Sequence, residues 1–296
     1  MGLLGTTMLN NIKILHLEST DSCNAACPLC LRETDSTFNK PGNQHLTVDK
    51  IRETICPDFI KNLDKMFMCG NYGDPAAGKH TLDIFRYFRS INPGITLGMN
   101  TNGSLRTISW WEELSLIFTG DSDYVVWSID GLEDTNHIYR VNTSWGKIME
   151  NSAAFIAGGG NAHWDMIAFS HNEHQVDDAE KMAKALGFSW FRVKVSKRVF
   201  TGNTIRPSKN WIAPVIEQGS ISCNALNEMS IYMSAHGIVY PCCWLGSTNF
   251  TIAEFDDIQR SWVTIAPNKK CSDNCATNLS AVSKFSNQWQ REVELK

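Results

Sequence analysis

Ile12-Lys-Ile-Leu-His-Leu-Glu18 is followed within a few residues by Cys23-Asn-Ala-Ala-Cys27-Pro-Leu-Cys30, and this stretch decides how the chain is read. The first run is β-rich, so the cysteines fall on the loop that leaves a strand. Their C-x3-C-x2-C spacing lets three thiolates converge on one small metal centre. A closed zinc or iron–sulfur site normally takes four protein ligands. Three local cysteines therefore leave one metal corner open for another molecule. A zinc site completed by a distant Cys or His satisfies the same spacing.

The rest of the chain supplies a frame for that loop. Lys13–Glu18, Lys65–Cys69, Ile95–Met99, Tyr124–Ile129, Asp165–Ser170 and Trp190–Val195 are strand candidates. Thr47–Leu63, Thr81–Ser90, Trp110–Phe118, Gly146–Ala157 and Val176–Leu186 are helical candidates between them. Such alternation argues for parallel βαβ units. Six units make a partial barrel, short of the eight of a closed one. Ligand sites in parallel α/β folds lie at the C-terminal ends of the strands. The informative segments fall there: Gly70-Asn-Tyr-Gly-Asp-Pro75, Asn100-Thr-Asn-Gly-Ser104, Ser128-Ile-Asp-Gly131 and His171-Asn-Glu173. Gly158-Gly-Gly160 is a helix stop, with no Lys-Ser/Thr behind it to make a phosphate loop. The βα rhythm ends after about Val195.

Composition bounds the function. The 296 residues, 43% hydrophobic, are enough for one large domain and a small one. A net charge of −4 gives no global argument for nucleic acid. No apolar run reaches transmembrane length, and no secretory signal opens the chain. Met1–Thr6 fits a loose myristoylation pattern that chance also produces. Ten cysteines without an export signal point to metal ligation in a reducing, cytoplasmic compartment rather than to disulfides.

These motifs together resemble the radical S-adenosylmethionine (radical SAM) superfamily. Its motif is C-x3-C-x-Φ-C, with Φ usually aromatic; Leu29 stands at Φ here. The resemblance implies a [4Fe–4S] cluster on Cys23, Cys27 and Cys30 whose open iron chelates S-adenosylmethionine. An external donor such as flavodoxin or ferredoxin reduces the cluster, and cleavage of the sulfonium yields a 5′-deoxyadenosyl radical. Gly73-Asp74-Pro75 is similar to the family's Gly-Gly-Glu-Pro segment, which holds the ammonium of the cofactor. Ser128-Ile-Asp130-Gly131 is similar to its Ser-x-Asp-Gly, which contacts the ribose or the methionyl carboxylate. Arg140 and Asn172 stand where the family places further cofactor contacts. Read as residues alone, Asp74 belongs to an ordinary Gly-Asp-Pro turn, Arg140 is a solvated surface cation and Asn172 or Glu173 opens the next helix. Thr101-Asn102-Gly103 reads mainly as a turn.

A second cysteine set lies in the last third: Cys223, Cys242, Cys243, Cys271 and Cys275. Residues 227–242 read as a β-hairpin turning near His236-Gly237, which brings Cys223 and Cys242 to one end. Cys223-x13-Gly237-x4-Cys242 resembles the signature of the SPASM and Twitch domains. The resemblance implies an auxiliary [4Fe–4S] cluster on Cys223, Cys242, Cys271 and Cys275, with Cys243 spare or replacing Cys242. A four-cysteine zinc site fits the same spacing. Cys56 and Cys69 are expected inside a helix and a strand as core thiols.

Between Phe191 and Glu217 stand Arg192, Lys194, Lys197, Arg198, Arg206 and Lys209 without an acid, a segment suited to an anionic substrate or to a solvated linker. The whole implies an α/β radical SAM enzyme. A partial (β/α)6 TIM-like barrel spans 1–205, and a small α+β Twitch-type domain of hairpin plus helix spans 206–296. It abstracts a hydrogen atom from a peptide or small-molecule substrate. The residues alone leave open a zinc or iron–sulfur binding protein without catalysis.

Overall fold

A computed structural model describes residues 11–34, 43–196, 204–210, 223–246, 271, 275 and 289–296. Nine strands are assigned among them: β1 (Ile14–Leu17), β2 (Lys65–Met68), β3 (Thr96–Thr101), β4 (Tyr124–Ser128), β5 (Ala162–Ala168), β6 (Trp190–Val195), β7 (Ser230–Met233), β8 (Val239–Tyr240) and β9 (Trp289–Glu294). They pair in the order β8-β7-β1-β2-β3-β4-β5-β6-β9, a mostly parallel sheet that is not closed. The expected six strands therefore lie side by side in chain order. Helices follow each of the first five, as parallel pairing requires. Among the described residues no helix is long and apolar enough to cross a membrane.

The chain divides into two compact units. The first comprises Met1–Ser22, Gly42–Gly98 and Ile216–Leu279. Here β1 pairs in parallel with β2 on one side and β7 on the other. Leu15, Leu17, Met66 and Met68 point to one face and are fully buried, the period-2 pattern of a half-covered strand. The helix Thr81–Ile91 buries Leu82, Ile84, Phe85 and Phe88. The hairpin forms as expected: β7 and β8 run antiparallel, and Gly237 turns at φ +74°. Its attachment to β1 joins residues more than 200 apart, with Ile14 opposite Ser230 and Leu17 opposite Met233.

The second unit comprises Cys23–Pro41, Met99–Val215 and Ser280–Lys296. β4, β5 and β6 are parallel, and β9 closes their edge antiparallel to β6. Its core is aromatic. Trp111 packs against Trp127 with ring centres 4.6 Å apart, and Trp164 against Phe188 at 5.5 Å. Truncating any of these fully buried rings to Ala would cost about 3–5 kcal/mol.

Several expectations need correction. Thr47–Leu63 is two helices, Val48–Thr54 and Pro57–Lys61. Pro57 has no N–H to give and holds Cys56 extended at ψ 154°, so the first helix stops there. Cys56 is thus a cap between helices, and Cys69 follows β2 rather than lying in it. β5 begins at Ala162 rather than Asp165, directly after the glycine turn, where Gly159 takes φ +89°.

Candidate functional site

The cysteine loop packs on itself within the second unit. Cys27 is 7% exposed and sits among Ala25, Leu29, Tyr139, Phe169 and Ile205; Cys23, Cys30 and Ile167 pack against the same cluster. Turn bonds shape the loop: the Cys30 N–H donates to the Cys27 carbonyl at 2.9 Å, and the Ala26 N–H to the Val141 carbonyl at 3.0 Å. The three sulfurs expected to act together thus border one apolar nest. Burial pushes the Cys27 thiol up, and the Arg140 guanidinium opposes that shift. Among the described residues no three His, Cys, Asp or Glu side chains are gathered as a single metal ion needs them.

A polar web stands beside this loop at the ends of β4 and β5. Asp130 is completely buried. Its Oδ2 accepts Arg140 Nε at 2.6 Å, and its Oδ1 accepts the Ile167 N–H at 2.6 Å. Burial alone would lower the Arg140 pKa; Asp130, with Cys27 and Tyr139, opposes this and the net shift is upward, so the cation is kept. Arg140 Nη1 reaches Cys27 Sγ at 3.8 Å. Arg140 is therefore a half-buried, paired cation rather than a solvated surface one. Asn172, also fully buried, donates to the carbonyls of Asp130 and Ile167 at 2.8 and 3.0 Å and accepts the Phe169 N–H at 2.7 Å. It ties the end of β5 to the end of β4 instead of capping the following turn. Ser128 ends β4, half-buried, in register with Asp165.

Gly73 and Asp74 lie in the first unit. A Cβ on Gly73 would stand 1.9 Å from the Thr20 carbonyl oxygen, so only glycine fits. Asp74 is 5% exposed. Its N–H donates to the Ser22 carbonyl at 2.8 Å, and its Oδ1 accepts the Ala76 N–H at 2.9 Å as the cap of a short 3-10 turn. The loop is held from below by Glu18, which sequence reasoning passed over. Glu18 accepts the N–H groups of Tyr72 and Gly73 at 2.7 and 3.0 Å and the Tyr232 hydroxyl. Burial pushes its carboxyl up. An acid ending an apolar strand is the one local sign of it; its Tyr232 partner, 214 residues on, leaves none.

The second cysteine set belongs to the first unit as well. Cys223 opens the helix Asn224–Asn227 before the hairpin, and Cys242 follows the hairpin. Burial pushes the Cys242 thiol up to about 12, and Cys223 and Cys271 act on it in the same direction. Burial also raises the Cys243 thiol, which Cys242, Cys69 and Glu18 raise further. Cys275 is half-buried.

The basic segment is partly neutralised within the fold. Arg192 Nε donates to Asp165 Oδ1 at 2.7 Å across the β5–β6 ladder. Lys197 and Arg198 lie outside the described residues.

The fold is similar to that of SuiB from Streptococcus suis bound to S-adenosylmethionine: TM-score 0.63 and 14% identity, over 94% of this chain and 71% of that one. It is similar also to native anSMEcpe with bound AdoMet and Cp18Cys peptide: TM-score 0.61 and 13% identity, over 93% and 91% of the two chains. SuiB bound to precursor peptide SuiA aligns at TM-score 0.62 and 13% identity, over 86% and 65%. No family model matches the sequence, and no curated protein matches it. At these identities the likeness is one of fold.

Proposed function

We propose that the chain is a radical SAM enzyme acting on a peptide. The observation that carries this reading is the C-x3-C-x2-C loop after β1, with its three cysteines around one apolar nest and N–H donors on two of the sulfurs. The donor set fits a sulfide-bridged cluster better than a lone ion. A cube is held by separate corners, so its thiolates need not converge on a point as a single ion's ligands do.

Once bound, a [4Fe–4S] cluster reduced by an external donor such as flavodoxin or ferredoxin, together with S-adenosylmethionine, would supply reductive cleavage of the sulfonium and hydrogen-atom abstraction from the substrate. The chain's own residues hold and shield these groups. Cys23, Cys27 and Cys30 would ligate the cluster, with Tyr139, Phe169 and Ile205 keeping water from its face. Arg140, kept charged by Asp130, offsets negative charge at Cys27. Gly73, Asp74, Ser128, Asp130 and Asn172 would border the cofactor as the resemblance assigns them. Cys223, Cys242, Cys271 and Cys275 would hold an auxiliary cluster in a module over 206–296.

A peptide is favoured over a small metabolite because neighbours in fold were crystallised with peptides: SuiB with SuiA, and anSMEcpe with Cp18Cys. Anaerobically purified protein tests the reading. Iron and sulfide with reductant-dependent formation of 5′-deoxyadenosine support it; zinc in their place, without cleavage, overturns it.

A further inference from the structure

Three N–H groups face two of the loop sulfurs. The Ala25 N–H donates to Cys23 Sγ at 3.3 Å, Asn102 Nδ2 to Cys23 Sγ at 3.8 Å, and Arg140 Nη1 to Cys27 Sγ at 3.8 Å. Asn102 stands just past the end of β3, in the Thr-Asn-Gly segment whose sequence signals only a turn. Its side chain has one possible orientation. Oδ1 accepts the Ser104 N–H at 3.0 Å, which directs Nδ2 away, toward Asn24 Oδ1 at 2.9 Å and the Cys23 sulfur. An inverted amide would set oxygen against oxygen at Asn24 and NH2 against N–H at Ser104.

The support beneath Asn102 is stiff. Asn102 is 4% exposed. Gly103 takes φ +74°, and a Cβ there would lie 2.4 Å from the Trp127 ring. Asn151 Nδ2 donates to the Gly103 and Leu105 carbonyls at 2.9 and 3.0 Å. A buried amide fixed in this way offers its N–H without reorganisation, the condition under which a dipole acts most strongly on a nearby charge.

We propose that Asn102 is a positioning residue for the three-cysteine centre, its side-chain N–H acting with the Ala25 N–H on the Cys23 sulfur to raise the reduction potential of the cluster bound there. This rests on the radical SAM reading and extends it to a residue outside the cysteine and cofactor motifs. N–H groups on a ligand sulfur draw charge from it. They stabilise the reduced cluster, which carries one more negative charge, more than the oxidised one.

Asn102→Asp is the direct test. It keeps the shape and the acceptor for the Ser104 N–H but puts a carboxylate oxygen where the N–H stood. In anaerobically reconstituted protein without S-adenosylmethionine, the midpoint potential of the loop cluster should shift negative, and Asn102→Ala should shift it less far in the same direction. Iron content and the potential of the auxiliary centre should stay at wild-type values, while the unfolding midpoint falls, because the carboxylate loses the bond to Asn24 Oδ1. A loop cluster with unchanged potential overturns the proposal while leaving the enzyme reading intact. Absence of any iron lost on replacing Cys23, Cys27 and Cys30 overturns the reading itself. A second measurement needs no variant: wild-type protein made with asparagine labelled by 15N in the side chain should show a nitrogen coupling to the reduced loop cluster in electron spin-echo spectra. Its absence overturns the proposal even if the variants fail to fold.

Discussion

Asp130 and Arg140 form a buried ion pair 2.6 Å across, with side-chain exposures of 0% and 16%. The pair does more than satisfy two charges. Asp130 also anchors β5 through the Ile167 N–H, and Arg140 carries the cation on to Cys27. The end of β4 is thereby tied to the cysteine loop through one charged chain.

Breaking that chain should be costly. Asp130→Ala leaves a buried guanidinium without its partner and should lower unfolding free energy by about 3–5 kcal/mol. Asp130→Asn keeps an acceptor and should cost less, about 1–3 kcal/mol. Urea unfolding under anaerobic conditions checks both. A loss under 1 kcal/mol for the alanine variant would show that the pair is not a structural tie.

Gly73 tests the close approach of two backbones. A methyl group 1.9 Å from the Thr20 carbonyl forces one segment away, at about 1–3 kcal/mol. Gly73→Ala should therefore lower the thermal midpoint and loosen the bond from the Asp74 N–H to Ser22. Amide exchange at Asp74 measures the second effect, and unchanged protection there would count against it.

His16 predicts a pH dependence with a definite sign. Burial pushes its imidazole down to about 4, against an opposing hydrogen bond to the Cys69 carbonyl. In the unfolded chain it titrates near 6.5. As pH falls below that value, the unfolded chain takes up a proton that the folded one refuses. The stabilising contribution is thus complete above about 6.5 and is lost toward pH 4, by up to about 1.4 kcal/mol per pH unit. His16→Phe keeps the stacking on Phe67, whose ring centre is 4.5 Å away, and should lack this slope. Glu18, pushed up by burial, contributes with the opposite sign in both proteins, so the difference between them isolates His16. Parallel stability curves from pH 7 to 4.5 would contradict the assignment.

For the basic segment, replacing Arg198 and Arg206 with Gln should raise the KM for an anionic peptide while uncoupled cleavage of S-adenosylmethionine persists. The effect should shrink at high salt. Arg192 would be a poor choice for this experiment, because Asp165 already neutralises it. Equal loss of both activities would indicate folding rather than recognition.

Much of this was legible in the sequence because it is local. Short β-rich runs between helical patterns located the first six strands to within a few residues, and Cys23, Cys27 and Cys30 were legible as a loop because they follow the first of these runs. The Cys56-Pro57 break was also written locally, but the helical pattern on either side masks it. What the chain could not declare is long-range. Nothing near Ser230 says that β7 will lie beside β1, and nothing near Glu18 says that Tyr232 will bond to it. Asn102 shows a third case: the dipeptide Asn-Gly is such a strong turn signal that it hides what the asparagine amide reaches.

On the proposed reading the first three cysteines carry the reactive cluster and a separate set carries another. Combined Cys23→Ala, Cys27→Ala and Cys30→Ala measures it most directly, by iron content and by formation of 5′-deoxyadenosine in anaerobic protein. The triple variant should keep about half of the wild-type iron and lose all cleavage of S-adenosylmethionine. Full retention of iron, or cleavage that survives, would contradict it.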